Sequence, residues 1–142
     1  MVSKFNVRVY GIWIKEGKIL VSNENINGFK MLKLPGGGLE LGEGTKDCLV
    51  REFKEELNVT VKIEQLLHVT ENFIESAFRK EEQIIAVHYR VSCNDTIDNM
   101  HTIQPTKLGG DNTHLFEWRT LDQLLLTELT FDMDKQALAK LT

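Results

Sequence analysis

From residue 5 to residue 14 the apolar positions alternate. Phe5, Val7, Val9, Gly11 and Trp13 fall on one face, and the other carries Ile12 and Ile14 beside Arg8 and Tyr10. A period of two predicts a strand, and apolar side chains on both sides predict one covered on much of both faces. Lys15-Glu16-Gly17-Lys18 is a turn signal, and Ile19-Leu20-Val21 resumes extended chain, so the first unit reads as a hairpin. Residues 23–28 are polar and read as a loop. Residues 31–34 form a short strand that stops at Pro35. A glycine-rich loop follows, from Gly36 through Gly37 and Gly38 to Gly44. The period then lengthens. With Thr45 as N-cap, residues 46–57 place Leu49, Phe53 and Leu57 at i, i+4 and i+8 with Val50 beside them, which predicts an amphipathic helix. Val59, Val61 and Ile63 alternate as a further strand. Residues 66–74 and 84–93 predict two longer strands joined by the charged run Arg79-Lys80-Glu81-Glu82. Residues 94–111 read as loop, residues 115–118 as a strand, and residues 121–126 and 134–141 as helices.

Strands with helices interspersed predict an α/β or α+β fold, a mixed sheet covered by helices. The length of 142 residues suits a single domain spanning residues 1–142. Apolar residues at 42% and charged residues at 27% are ordinary for a globular chain. A net charge of −4 argues against a nucleic-acid-binding surface, but not against nucleotides, because a bound cation can supply the positive charge. Cys48 and Cys93 are too few for a disulfide scaffold and point to a reduced, cytoplasmic setting. Cys48, among apolar helix positions, reads as a small buried hydrophobe. The first residues carry no apolar stretch of the signal-peptide kind, and no apolar run is long enough to span a membrane.

The helix changes the picture. Glu52 and Glu55 are three residues apart, and Glu52 and Glu56 four, so three carboxylates share one side. Alone, such a stripe reads as a solvated acidic face. Preceded by a loop whose glycines allow backbone to approach a ligand closely, it reads as a hard-oxygen site suited to Mg²⁺ or Mn²⁺. Mg²⁺ favours a few carboxylates completed by substrate phosphates.

The pattern Gly37-x5-Glu43-x7-Arg51-Glu52-Phe53-x-Glu55-Glu56-x-Asn58-Val59 resembles the Nudix box, G-x5-E-x7-R-E-U-x-E-E-x-G-U, where U is a bulky apolar residue. Asn58 is the single departure. It stands where the chain leaves the helix in a left-handed conformation, and asparagine is the usual second choice to glycine there. The resemblance implies a Nudix-type α/β/α sandwich with a mixed, partly antiparallel sheet. It implies a metal-dependent hydrolase of a nucleoside diphosphate linked to another moiety X, with water attacking phosphorus. Glu52, Glu55 and Glu56 would hold Mg²⁺ or Mn²⁺ together with the Gly36 carbonyl, and Glu52 is also a candidate base. Arg51 would orient the carboxylates and Glu43 would position the loop. Gly37 and Gly38 would meet the substrate. The implied partner is a small nucleotide, without nucleic acid or membrane, and a homodimer is compatible with the reading. A nucleotide-sensing domain without turnover is the alternative.

In relatives one more acidic residue comes from outside the box; Asp111 or Glu117 near the late strand is nominated, with Glu81 and Glu82 as rivals. Trp118 is expected in the core. Phe29, Phe73 and Phe78 are expected to pack in the core rather than stack a base. His88 reads as a strand-face residue, and His68, His101 and His114 lack metal spacing. The proline found after the box in many ADP-ribose hydrolases is missing, as is the tyrosine of the dinucleoside-polyphosphate group. A broad or MutT-like nucleotide hydrolase is therefore the default expectation.

Overall fold

The structure, a computed structural model, describes residues 1–96, the backbone of 100–103, and residues 112–141. The chain runs β1 (Lys4–Lys15), β2 (Lys18–Ile26), β3 (Phe29–Lys33), β4 (Gly36–Gly38), α1 (Thr45–Leu57), β5 (Lys62–Val69), β6 (Glu82–Ser92), β7 (Met100–Ile103), β8 (Thr113–Thr120), α2 (Gln123–Glu128) and α3 (Asp132–Leu138). The strands are ordered β5-β6-β1-β2-β8-β7, with β3 paired to β2 and β4 to β1. β1 and β6 run parallel, from Lys4 opposite Glu82 to Trp13 opposite Val91. The other pairings between strands are antiparallel, so the sheet is mixed, as expected.

β1 explains the layering. Its apolar residues on both faces let one strand serve two cores. Val9 and Trp13 pack with Leu49, Phe53 and Leu57 of α1. Tyr10 and Ile12 pack on the other face with Leu125, Leu129, Met133 and Leu138 from the α2–α3 region. Helices thus cover both faces. Gly11 lets α1 come close, because a Cβ there would lie 2.8 Å from the Phe53 ring. Among the described residues no helix is long and apolar enough to cross a membrane.

Several boundaries differ from the pattern-based expectation. Residues 23–26 belong to β2, because their backbone pairs with β3 on one side and β8 on the other; the turn is confined to Asn27 and Gly28, both at positive φ. The three glycines Gly36–Gly38 are a short strand, Gly37 opposite Val9. The strands expected around residues 59–63 and 66–74 are one strand, Lys62–Val69, with register shifts against β6. Val59 and Val61 are nevertheless buried. Residues 100–103, expected as loop, pair with β8. The last helix begins at Asp132 rather than Asp134. Trp118 packs edge-on to Trp13, with centroids 4.9 Å apart. Phe73 and Phe78 are not core residues: they are 62% and 54% exposed. They lie in the irregular stretch between β5 and β6, where no second layer covers them.

Candidate active site

α1 is the scaffold of the site. Gly44 is its N-cap, one residue earlier than expected. The Gly44 amide donates to Asp47 Oδ2 at 3.2 Å. Thr45, freed from capping, shares a hydrogen bond with the Tyr89 hydroxyl at 2.7 Å. Leu49, Phe53 and Leu57 bury one side of the helix, and Glu52 faces the glycine strand. The helix ends at Asn58, with φ 56° and ψ 38° and its N–H bonded to the Lys54 carbonyl. That is the left-handed stop expected of the one departure from the box.

Arg51 is the hub. Its Nε and Nη2 grip the Glu43 carboxylate at 3.0 and 2.7 Å. Nη2 also donates to the Gly38 carbonyl at 3.0 Å. Nη1 reaches Glu52 at 3.0 Å and Glu55 at 3.3 Å. A planar fork with five donors makes such a junction possible. The Arg51 hydrogen bonds, with a backbone donor from Glu40, hold Glu43 down to about 2. The same Glu43 contact raises the Arg51 guanidinium above its already high value. Burial, with the nearby Glu43 charge, pushes the Cys48 thiol up to about 12, so it is inert.

The three box glutamates occupy different environments. Glu55 is exposed, with its side chain 59% accessible. Glu52 is 13% accessible and lies against the glycine strand, where a Cβ on Gly37 would stand 2.2 Å from its carboxyl carbon. Burial raises the Glu52 carboxyl against the pull of Arg51. Burial, reinforced by the charge of Glu52, pushes Glu56 up to about 8. Gly36 is equally constrained: a Cβ there would be 2.0 Å from the Val9 carbonyl oxygen. Gly37 therefore faces Glu52, and Gly38 offers its carbonyl to Arg51.

Among the described residues, no three acidic, histidine or cysteine side chains are gathered closely enough to hold a metal ion as they stand. Arg51 draws Glu52 and Glu55 toward itself. The donor set still fits a divalent cation. Glu52 and Glu56 are desolvated, repel each other and have their carboxyls raised. Added positive charge relieves that arrangement.

A cavity of about 740 Å³ is lined by Arg8, Tyr10, Glu24, Lys33, Leu39 and Phe78 among others. The box glutamates do not line it, but Lys33, Glu24 and Arg8 act electrostatically on Glu56, so cavity and box adjoin. Glu24, an isolated acid among polar residues, carries no motif in the sequence. It is buried on β2 and pairs with Lys33 of β3 at 3.1 Å. It accepts from Ser22 at 2.8 Å and lies 3.4 Å from His114 Nε2; His114 Nε2 also contacts Ser22 Oγ. Burial would raise the Glu24 carboxyl, but Lys33, His114 and Ser22 hold it below the ordinary range. The legible signal was the hairpin turn Asn27-Gly28, which brings β2 and β3 side by side.

Of the acids nominated outside the box, Glu82 lines the cavity but is engaged by Asn6 at 3.1 Å and Arg79 at 3.8 Å. Glu117 pairs with Arg119 at 3.3 Å. Glu81 receives the Ser3 and Lys4 amides on its carbonyl. Asp111 lies outside the described residues. His88 is fully buried and bonds Asp134 through Nε2 at 2.8 Å.

Residues 4–141 match the NUDIX domain family. The chain belongs to that family. Within it, the chain is similar to an ADP-ribose pyrophosphatase from Methanocaldococcus jannaschii, 44% identical over 64 residues, which is 44% of this chain and 38% of that relative. The chain thus matches well under half of that relative's length. Two solved NUDIX structures share the fold. A NUDIX hydrolase from Nitrosomonas europaea superposes with a TM-score of 0.70 at 18% identity, over 95% of this chain and 86% of that one. A MutT NUDIX hydrolase from Burkholderia pseudomallei gives 0.70 at 21% identity, over 99% and 100%. The box helix and the glycine strand facing it both lie within the matched residues.

Proposed function

We propose that this NUDIX chain hydrolyses a diphosphate linkage in a nucleoside diphosphate attached to a second group X, using Mg²⁺ or Mn²⁺. The observation that carries the reading is the pair of desolvated carboxylates Glu52 and Glu56, set beside a cavity of nucleotide size. Glu52 and Glu56 would hold the cation, with Glu55 and the Gly36 carbonyl completing the donors. The bound cation would supply charge withdrawal from the diphosphate and ease ionisation of the attacking water. Arg51 fixes Glu52 relative to the glycine strand, bonding Gly38 and Glu52 at once. Glu52, the candidate base, would accept the proton of the water that attacks phosphorus. The P–O–P bond breaks, the leaving oxygen departs with one phosphoryl group, and the products are a nucleoside monophosphate and phosphorylated X. Free Cys48 and Cys93 are compatible with a reducing, cytoplasmic setting.

The test is a substrate panel at slightly alkaline pH with Mg²⁺ or Mn²⁺, reading nucleotide and phosphate products. ADP-ribose comes first, because the relative bears that name, then nucleoside triphosphates and dinucleoside polyphosphates. Turnover abolished by Glu56→Gln is expected. Metal-dependent nucleotide binding without hydrolysis of any panel member would sink the hydrolase reading in favour of a sensing domain.

A further inference from the structure

The cations lining the cavity are not equivalent. Lys33 is neutralised by Glu24 at 3.1 Å and Arg79 by Glu82 at 3.8 Å. Half-buried Arg8 has no carboxylate within ion-pair distance among the described residues. Its hydrogen bond is Nε to the Tyr10 hydroxyl at 2.7 Å, and its guanidinium carbon lies 5.7 Å from the Tyr10 ring centroid. Tyr10 is 2% exposed and packs against the His88 ring at 5.2 Å, so the residue that aims Arg8 is itself fixed. Nη1 points to the glycine strand, 3.6 Å from where a Gly38 Cβ would stand. Among the described residues, the Nη donors are thus held at the border between cavity and box without a protein acceptor.

A guanidinium drawn partly out of water and left unpaired is costly unless an anion completes it. Glu52 and Glu24 act on it only at longer range. The planar fork matches a phosphoryl group, which accepts two parallel N–H bonds. We propose that Arg8 is the anion receptor of the cavity, gripping a phosphoryl group of the diphosphate on the side away from the box helix, and that Tyr10 is the positioning residue that aims it. The proposal rests on the reading of the box as a diphosphate site. It adds a second, cation-independent hold on the substrate from β1.

The experiment is titration calorimetry of methylenediphosphonate, a non-hydrolysable diphosphate carrying no nucleoside, in Mg²⁺ buffer. Wild type is compared with Arg8→Gln, Arg8→Lys and Tyr10→Phe, and the panel turnover of each is measured alongside. Arg8→Gln is expected to weaken binding about tenfold or more, because charge and fork are both lost. Arg8→Lys keeps the charge and loses less, and Tyr10→Phe loses about threefold by freeing the guanidinium. Wild type that does not bind the diphosphonate, or Arg8→Gln binding within about twofold of wild type, overturns the proposal. Should Arg8→Gln fail to fold, judged by its thermal midpoint, Arg8→Lys decides in the same way. Arg8-dependent binding in a protein that hydrolyses nothing would leave Arg8 as the receptor and remove the hydrolase reading. Unchanged turnover and binding in Arg8→Gln would do the reverse.

Discussion

Glu52, Glu55 and Glu56 share a side-chain type and a helix, yet solvation sets them apart. Glu55 keeps its water, Glu52 gives up much of its water beside Arg51, and Glu56 is partly buried, with Lys33 and Arg8 acting on it only electrostatically. In the unfolded chain Glu56 ionises near 4.5, whereas the folded, cation-free protein holds its proton to about 8. Between those values the folded state binds the extra proton. Its contribution to stability is therefore full below about 4.5 and is lost as pH rises toward 8. Relative to Glu56→Gln, wild type should lose denaturation midpoint across that window; parallel curves for the two proteins would refute the shift. Mg²⁺ binding near neutral pH should release about one proton from wild type and none from Glu56→Gln, measured by calorimetry in buffers of different ionisation enthalpy. Gly37 is a second residue-scale constraint. The added methyl of Gly37→Ala meets the Glu52 carboxyl at 2.2 Å. Turnover is expected to fall about a hundredfold or more, with a smaller change in thermal midpoint. Wild-type activity in that variant would mean that the glycine strand yields freely.

At the scale of elements, two devices aim the site. One is the end of α1. Asn58 sits in the left-handed region, so Asn58→Ala should destabilise by about 1 kcal/mol while Asn58→Gly holds or gains stability. Urea denaturation of the pair checks the order, and equal stabilities would deny that the conformation matters. The other device is α3. Asp134 is fully buried, bonding His88 of β6 through Oδ1 and the Leu34 amide through Oδ2 at 3.3 Å. It ties the C-terminal helix to the chain just before Gly36. Removing one partner of a buried pair leaves the other uncompensated, so Asp134→Ala should cost about 3 kcal/mol. A loss below about 1 kcal/mol would show that water replaces the carboxylate. The amphipathic period of α1 and the alternation of β1 were legible because each buries a face against a neighbour. The extent of β2 was not, because Asn23, Glu24 and Asn25 pair through their backbone, which polar side chains do not advertise.

At the scale of the whole molecule, a sheet covered on both faces brings the ends of β1, β2 and β3 and the β5–β6 connection around one cavity. Phe78 enters from that connection, 5.8 Å from Phe29, and lines the cavity while remaining largely exposed. Phe78→Ala should therefore change stability by no more than about 0.5 kcal/mol. It should raise the substrate KM several-fold if a base stacks there, through loss of aromatic contact. A stability loss of about 3 kcal/mol would instead return Phe78 to the core.

The sequence by itself determined the box, its helix, the left-handed stop at Asn58 and the doubly buried first strand. Each is a local pattern of spacing, and spacing along a helix or strand translates directly into a shared face. Only the tertiary structure decided that Glu56 is partly desolvated, that the charge of Glu24 acts on it, that Asp134 holds the chain just before the glycine strand and that Arg8 has no carboxylate partner among the described residues. Those properties depend on which distant segments exclude water from a side chain and which charges they bring near it. The glutamates point to the proposed cation site through their periodicity; the charges around the cavity come from strands whose sequence shows only isolated polar residues.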